Sequence, residues 1–256
     1  ENPNAKESER YKAIIPFRMR GHKPDGTPLM AVASPDGLHW KRMQQNPVDD
    51  AWALRSEKTN MTFWDSNKKK YVMYIRSWSD PGFLLGFRHV SLVESDDFLH
   101  WGPVKPIKFG DAPGEHHYWF APQQYFRAPH QYIALSMRYL PLLATEGKLT
   151  QEGRKWPQSA SRNTWDGFYA PEHGITDCVL SAGRDGLNWQ RHMSAFLRPG
   201  RDGKNWTDRN LIPARGIIQT APDELSIYWV ENYMHPSLRV RRGTLRLNGI
   251  VSIQKK

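Results

Sequence analysis

The sequence predicts an all-β fold of the β-propeller type. Three observations carry this prediction: a hairpin motif that recurs along the chain, strand signals that fall into sets of about four, and apolar surface that is mostly aromatic. The last is compositional. The 256 residues include 11 Trp, 10 Tyr and 10 Phe at a mean hydropathy of −0.71. Such a chain clusters its apolar surface locally between polar loops, which suits short strands better than long amphipathic helices.

The recurring motif is a strand ending in Ser, an Asp two residues on, and a Trp four residues after that. Val32-Ala33-Ser34-Pro35-Asp36-Gly37-Leu38-His39-Trp40 is matched by Val93-Glu94-Ser95-Asp96-Asp97-Phe98-Leu99-His100-Trp101. Gly183-Arg184-Asp185-Gly186-Leu187-Asn188-Trp189 repeats it with Gly in the serine place. The expected physics is a staple: the Asp accepts backbone N–H groups to close the hairpin, Gly takes a positive φ, and Trp starts the returning strand beneath the sheet. Gly200-Arg201-Asp202-Gly203-Lys204-Asn205-Trp206 has similar lettering but follows too closely to start another blade, and reads as a loop.

Around the staples the strands group as blades, four to a set. Blade 1 covers about residues 9–46, blade 2 about 57–109, blade 3 about 115–200 with an insertion at 142–172, and the last blade about 206–254, all within one domain, 1–256. In blade 2 the expected strands are 60–64, 70–76, 89–94 and 104–109; in blade 3 they are 118–126, 131–139, 177–182 and 189–192. The last blade is read at 211–220, 224–231, 238–247 and 249–253, while the first lacks an innermost strand. An open ring would expose strand edges. The chain therefore reads as an incomplete propeller, either a piece of a longer protein or one in which a segment read as loop supplies the missing strands.

Charge and cysteine content narrow the function classes. Lys and Arg number 36 against 26 Asp and Glu, a formal charge of +10 that favours anionic partners. The basic residues are dispersed and form no nucleic-acid-binding motif, which argues against nucleic acid and leaves sulfated or uronate glycans open. The single cysteine, Cys178, excludes an internal disulfide and a multi-cysteine zinc site. No apolar run approaches the roughly 20 residues of a membrane span, and the first residues lack the apolar core of a signal peptide.

The staples resemble those of the five-bladed glycosidase superfamily that includes invertases, arabinanases and xylosidases. Glu9-Arg10-Tyr11-Lys12, Asn60-Met61-Thr62-Phe63-Trp64-Asp65, Tyr71-Val72-Met73-Tyr74-Ile75-Arg76 and Arg184-Asp185-Gly186-Leu187-Asn188-Trp189 are similar to stretches of bacterial secreted glycosyl-hydrolase-like proteins. The resemblance implies a five-bladed propeller, hydrolysis of a glycosidic bond in an oligo- or polysaccharide, no cofactor, and a secreted or periplasmic location. Residues 245–252 look like the join, in that group, between the propeller and a following β-sandwich. It covers nearly the whole chain but rests on structural staples, and fold does not by itself assign activity.

Glycoside hydrolysis generally requires two carboxyl groups, one to protonate the leaving oxygen and one, ionised, to activate water or attack the sugar. In a propeller the starts of innermost strands, and of the third strands parallel to them, converge on the axis. That rule selects Glu57 as base, Glu115 as general acid and Asp177 as a carboxylate that orients or tunes the acid. Each also has an ordinary reading as a solvated loop residue or structural acceptor. Asn60, Arg76, His117, Tyr118, Arg138, Arg209 and Asn210 are the candidate substrate contacts. The arginines suit a bidentate grip on an anionic sugar, although a strand arginine commonly pairs with a nearby acid. His116 and His117 point to opposite faces of a strand, so at most one faces the axis, and no metal site is expected. Asp65 reads as a turn former.

The leading function is an exo-acting glycosidase. The alternatives are a non-catalytic glycan-binding propeller, which would lack a convergent acid pair, and a glycoside phosphorylase, which would need arginines aimed at a phosphate.

Overall fold

The computed structural model describes residues 2–16, 28–48, 60–79, 87–140, 175–206, 210–233 and 235–250. Among them the chain is all-β apart from two short 3-10 turns, Glu7–Glu9 and Gly203–Asn205. It packs as two compact units. One comprises Glu1–Pro113, Pro122–Ile133 and Ala182–Gln190; the other comprises Gly114–Ala121, Ala134–Ser181 and Arg191–Lys256.

The strands form four sheets, each built mainly from consecutive strands as a propeller blade is. The first contains β1 (Tyr11–Pro16), β2 (Leu29–Ser34) and β3 (Lys41–Arg42), with no innermost fourth strand among the described residues. The second runs β4 (Met61–Asp65), β5 (Lys70–Trp78), β6 (Arg88–Ser95) and β7 (Lys105–Pro106), antiparallel throughout. The third holds β8 (His116–Tyr125), β9 (Ala128–Leu140), β10 (Ile175–Gly183) and β11 (Trp189–Arg191) in sequential order.

The fourth sheet departs from the expected pattern. Its first strand is broken into β12 (Ile212–Pro213) and β13 (Ile218–Ala221), and both pieces pair antiparallel with the same edge of β14 (Glu224–Glu231). β15 (Arg239–Arg246) pairs with the other edge along its full length. The strand expected at 249–253 begins in a turn at 247–250 and otherwise lies outside the described residues. Among the described residues four blades form, not five. The strand signals are consumed by four sheets, one of them three-stranded, and none remains for a fifth among the described residues.

In the first unit the central strands are buried on both faces, with runs of consecutive buried residues in β2, β5 and β6. Leu29, Ala31, Val48, Tyr71 and Phe98 form one cluster, with Ile14, Met43, Trp64, Leu99 and Trp101 packed against it. Met73, Ile75 and Val93 form another.

The staples work as the sequence implies, with one exception. Asp36 Oδ1 accepts the N–H groups of Leu38 and His39 at 2.8 Å, Asp97 Oδ1 those of Leu99 and His100 at 2.8 Å, and Asp185 Oδ1 those of Leu187 at 2.8 Å and Asn188 at 2.7 Å. The residue after each Asp has a positive φ: Gly37, Gly186 and, despite its side chain, Phe98. Trp189 is 2 % exposed, donates Nε1–H to the Gly186 carbonyl, and meets Tyr74 and Tyr132 edge-on. Trp40 makes the corresponding bond to Gly37 but is 42 % exposed, so it does not lie beneath its sheet. The next strand, β3, is only two residues long and exposed.

Asp65 is a turn former, as read, but it is also wholly buried. It accepts from the N–H groups of Asn67 and Lys68, from Gln124, and from the Tyr132 hydroxyl at 2.5 Å. Around Asp202 a 3-10 turn forms, capped by the Asp side chain accepting from Lys204 N–H. It belongs to no sheet.

Candidate functional site

Successive residues of a strand point to opposite faces, so each strand of the third sheet lays every second side chain on one face. On β9 that alternation aligns Ser136 with Arg138; His117 lies two residues beyond Glu115, which sits just ahead of β8. β10 contributes Asp177 and β11 contributes Arg191. These side chains belong to the second unit.

Arg138 is the hub. Its Nε donates to Asp177 Oδ1 at 2.8 Å and its Nη2 to Asp177 Oδ2 at 2.6 Å, a bidentate fork. Its Nη1 donates to Glu115 Oε1 at 3.0 Å. Arg191 Nη2 lies 3.0 Å from the other oxygen, Glu115 Oε2, at ion-pair distance but without hydrogen-bond alignment. Arg191 Nη1 is turned the opposite way and donates to the His192 carbonyl at 2.8 Å. The side chains of Arg138, Glu115, Asp177 and Arg191 are 12, 14, 9 and 1 % exposed. The cluster is therefore nearly dry, with two cations against two anions.

The charge environment follows from these contacts. The Asp177 fork, opposed by partial burial and assisted by both carboxylates' fields, raises the Arg138 guanidinium above its ordinary range. Burial lowers that of Arg191, against the pull of Glu115. Beside them, burial and the charge of Asp177 push the Cys178 thiol up to about 12, which leaves it inert as a nucleophile.

His117 is buried, with Nδ1 2.7 Å from Ser136 Oγ. Ser136 has one hydroxyl proton and donates it to the Trp119 carbonyl at 3.1 Å. The imidazole must then donate from Nδ1 to Ser136, which sets its tautomer when neutral. Tyr118, on the opposite face of β8, packs against Tyr139 with ring centroids 6.5 Å apart.

The structure thus brings Glu115, Asp177 and Arg138 together, with His117 on the same strand face. Arg76 is buried in β5, and Asn60 precedes β4; both belong to the first unit. Asn210 is fully buried and engaged with backbone: its Nδ2 donates to the Lys204 carbonyl and its Oδ1 accepts from Leu211 and Tyr233 N–H. Glu57 and Arg209 lie outside the described residues. Among the described residues no three His, Cys, Asp or Glu side chains gather as a metal would require. None of the helices there is long and apolar enough to cross a membrane.

Arg191 was not anticipated. Its signal was legible in β11, where buried Trp189 and Arg191 flank exposed Gln190, so Arg191 shares the inward face that the staple tryptophan marks.

No family model and no curated protein matches the chain. Solved structures do. A β-1,2-mannobiose phosphorylase from Listeria innocua, in complex with β-1,2-mannobiose, is similar over 88% of this chain and 52% of its own, with a TM-score of 0.54 and 13% identity. A glycoside hydrolase family 32 protein from Bifidobacterium adolescentis is similar over 93% and 43%, with a TM-score of 0.51 and 13% identity. An endo-arabinase from Bacteroides thetaiotaomicron is similar over 98% and 74%, with a TM-score of 0.50 and 12% identity. At such identities the likeness shows the fold alone, a β-propeller. The chain spans about half the length of the first two.

Proposed function

We propose that this chain hydrolyses a glycosidic bond of an oligo- or polysaccharide, acting from a chain end as an exported protein, with Glu115 and Asp177 as two of its working carboxylates. The observation that carries the reading is that these acids, Glu115 just ahead of β8 and Asp177 on β10, in a fold similar to that of glycosidases, meet on one guanidinium. Hydrolysis needs such a set. A protonated carboxyl gives its proton to the leaving oxygen as the anomeric C–O bond breaks, and an ionised carboxylate takes one from the attacking water. Glu57 completes the proposed set.

Phosphorolysis has a precedent on this fold but would require arginines available to a phosphate. Arg138 and Arg191 are both engaged with carboxylates, which favours water as the acceptor. The engagement of both Asp177 oxygens by Arg138 favours one further reading, a glycan-binding protein in which the cluster only shapes the sheet.

The test is a screen of neutral and anionic oligosaccharides with wild type, Glu57→Gln, Glu115→Gln and Asp177→Asn. Release of sugar by wild type, lowered about 100-fold or more by the Glu115 and Asp177 variants, is expected from loss of a carboxylate in acid–base catalysis. Binding without turnover would select the glycan-binding protein. Turnover unchanged in all three variants would remove the assignment.

A further inference from the structure

The geometry points to a carbohydrate subsite at one end of the fourth sheet, where Trp229 receives a sugar ring and Arg239 and Arg241 receive an anionic oxygen substituent on it, a carboxylate or a sulfate ester. This deepens the proposed hydrolase, by naming its substrate as an acidic glycan, and rests on it.

Three observations lead there. First, the register of β14 with β15 sets Trp229 opposite Arg241 and Glu231 opposite Arg239, so the four side chains share one face of the sheet. Glu231 is buried and organises the other three. Its Oε1 accepts from Trp229 Nε1 at 3.2 Å, while its Oε2 accepts from Arg239 Nε at 2.9 Å and lies 3.1 Å from Arg241 Nε.

Second, the two guanidinium groups are held in place yet keep donors to offer. Their side chains are 44 and 52 % exposed. Arg239 Nη2 turns to Glu231 and, at 3.4 Å, to Asp202, whose carboxylate also takes Lys204 N–H and Asn232 Nδ2. Among the described residues, Nη1 of Arg239 and both Nη groups of Arg241 have no partner. A guanidinium presents its donors as a planar fork that matches a carboxylate or a sulfate edge. Anchoring both through Nε reduces the freedom lost when an anion binds.

Third, the Trp229 ring lies against bare backbone. A Cβ added at Gly243 would fall 2.9 Å from Trp229 Cζ3 and 3.2 Å from Cη2. The ring is half-buried, so part of it stays open to solvent. Aromatic surface beside a few fixed polar groups is the make-up of a small-molecule site. It stands near the end of one strand and the start of the next, as Arg138 and Asp177 do in the third sheet, and both sets belong to the second unit. Arg138, which the sequence suggested for an anionic sugar, is instead occupied by carboxylates.

The experiment is calorimetric titration of wild type, Arg241→Gln and Trp229→Leu with galacturonate, glucuronate and mannuronate trisaccharides, with sulfated galactose and glucosamine trisaccharides, with the neutral counterpart of each, and with inorganic sulfate. At least one acidic trisaccharide is expected to bind wild type about tenfold or more tightly than its neutral counterpart, the worth of one charge-assisted hydrogen bond. Whether uronates or sulfated sugars do so tells which anion the site takes. Arg241→Gln should abolish most of that preference, and Trp229→Leu should weaken acidic and neutral sugars alike. Acidic and neutral sugars bound equally by wild type, a preference kept by folded Arg241→Gln, or inorganic sulfate bound as tightly as any sugar would each overturn the inference. Should Arg241→Gln not fold, Arg241→Lys decides: it keeps the charge without the fork, and an unchanged affinity overturns the inference. If the preference behaves as expected but no form cleaves any glycan, the hydrolase reading fails while the subsite stands. Cleavage of neutral glycans without preference for acidic ones does the reverse.

Discussion

Replacing Arg138 by Met would remove the hub of the third sheet while keeping much of its aliphatic volume. The structure sets the size of the effect. Three charge-assisted hydrogen bonds are lost, two to Asp177 and one to Glu115. At about 1.5–3 kcal/mol each they bound the gross loss at roughly 5–9 kcal/mol. The freed carboxylates regain little hydration, since their side chains are only 14 and 9 % exposed. Breaking a buried pair from one side costs about 3–5 kcal/mol in practice, and the small residual exposure of these side chains places the expectation near the lower end, about 3 kcal/mol. With a urea slope of about 1–3 kcal/mol per molar, the unfolding midpoint should fall by roughly 1–3 M at neutral pH. Arg138→Met combined with Glu115→Gln and Asp177→Asn should recover most of the stability, because the amides leave no buried charge unpaired. A neutral-pH loss below about 1 kcal/mol, the value of an exposed pair, would refute the buried cluster.

Two further predictions concern the staples. Gly186 has φ +76° and its added Cβ would lie 2.7 Å from the Tyr74 hydroxyl, whereas at Gly37, φ +79°, it would meet only the Tyr11 ring at 3.9 Å. Gly186→Ala should therefore cost about 2–3 kcal/mol in urea unfolding and Gly37→Ala about 1; equal losses would refute the close approach. At the first staple, the N–H and ring of His39 and the N–H of Leu38 depress the carboxyl of Asp36. A depressed carboxylate stabilises the fold above its unfolded pKa of about 3.9, and that contribution is lost as pH falls through the folded value. The gap between wild type and Asp36→Asn in urea midpoint should be widest near neutrality and close in strong acid; parallel curves would refute the linkage.

How much was legible beforehand differs from element to element. The second and third blades were readable almost strand by strand because alternation and the Asp–Trp staple are local, set by side chains within a few residues of the turn they close. The broken first strand of the last sheet was not. Its two pieces at 212–213 and 218–221 both answer to β14, and no local pattern records a partner's register. Trp40 and Trp189 show the same limit, alike in motif and opposite in burial, because Trp189 packs against Tyr74 and Tyr132, residues far from it in the chain.

By itself the sequence determined the all-β class, the staples, the boundaries of most strands and the choice of Glu115 and Asp177 as acids worth pursuing. Only the tertiary structure decided that both acids meet Arg138, and that Arg191 closes on Glu115 from a strand 76 residues further along the chain. The physical reason is range: hairpin closure is written in neighbouring residues, whereas the pairing of buried charges depends on which strands the sheet lays side by side.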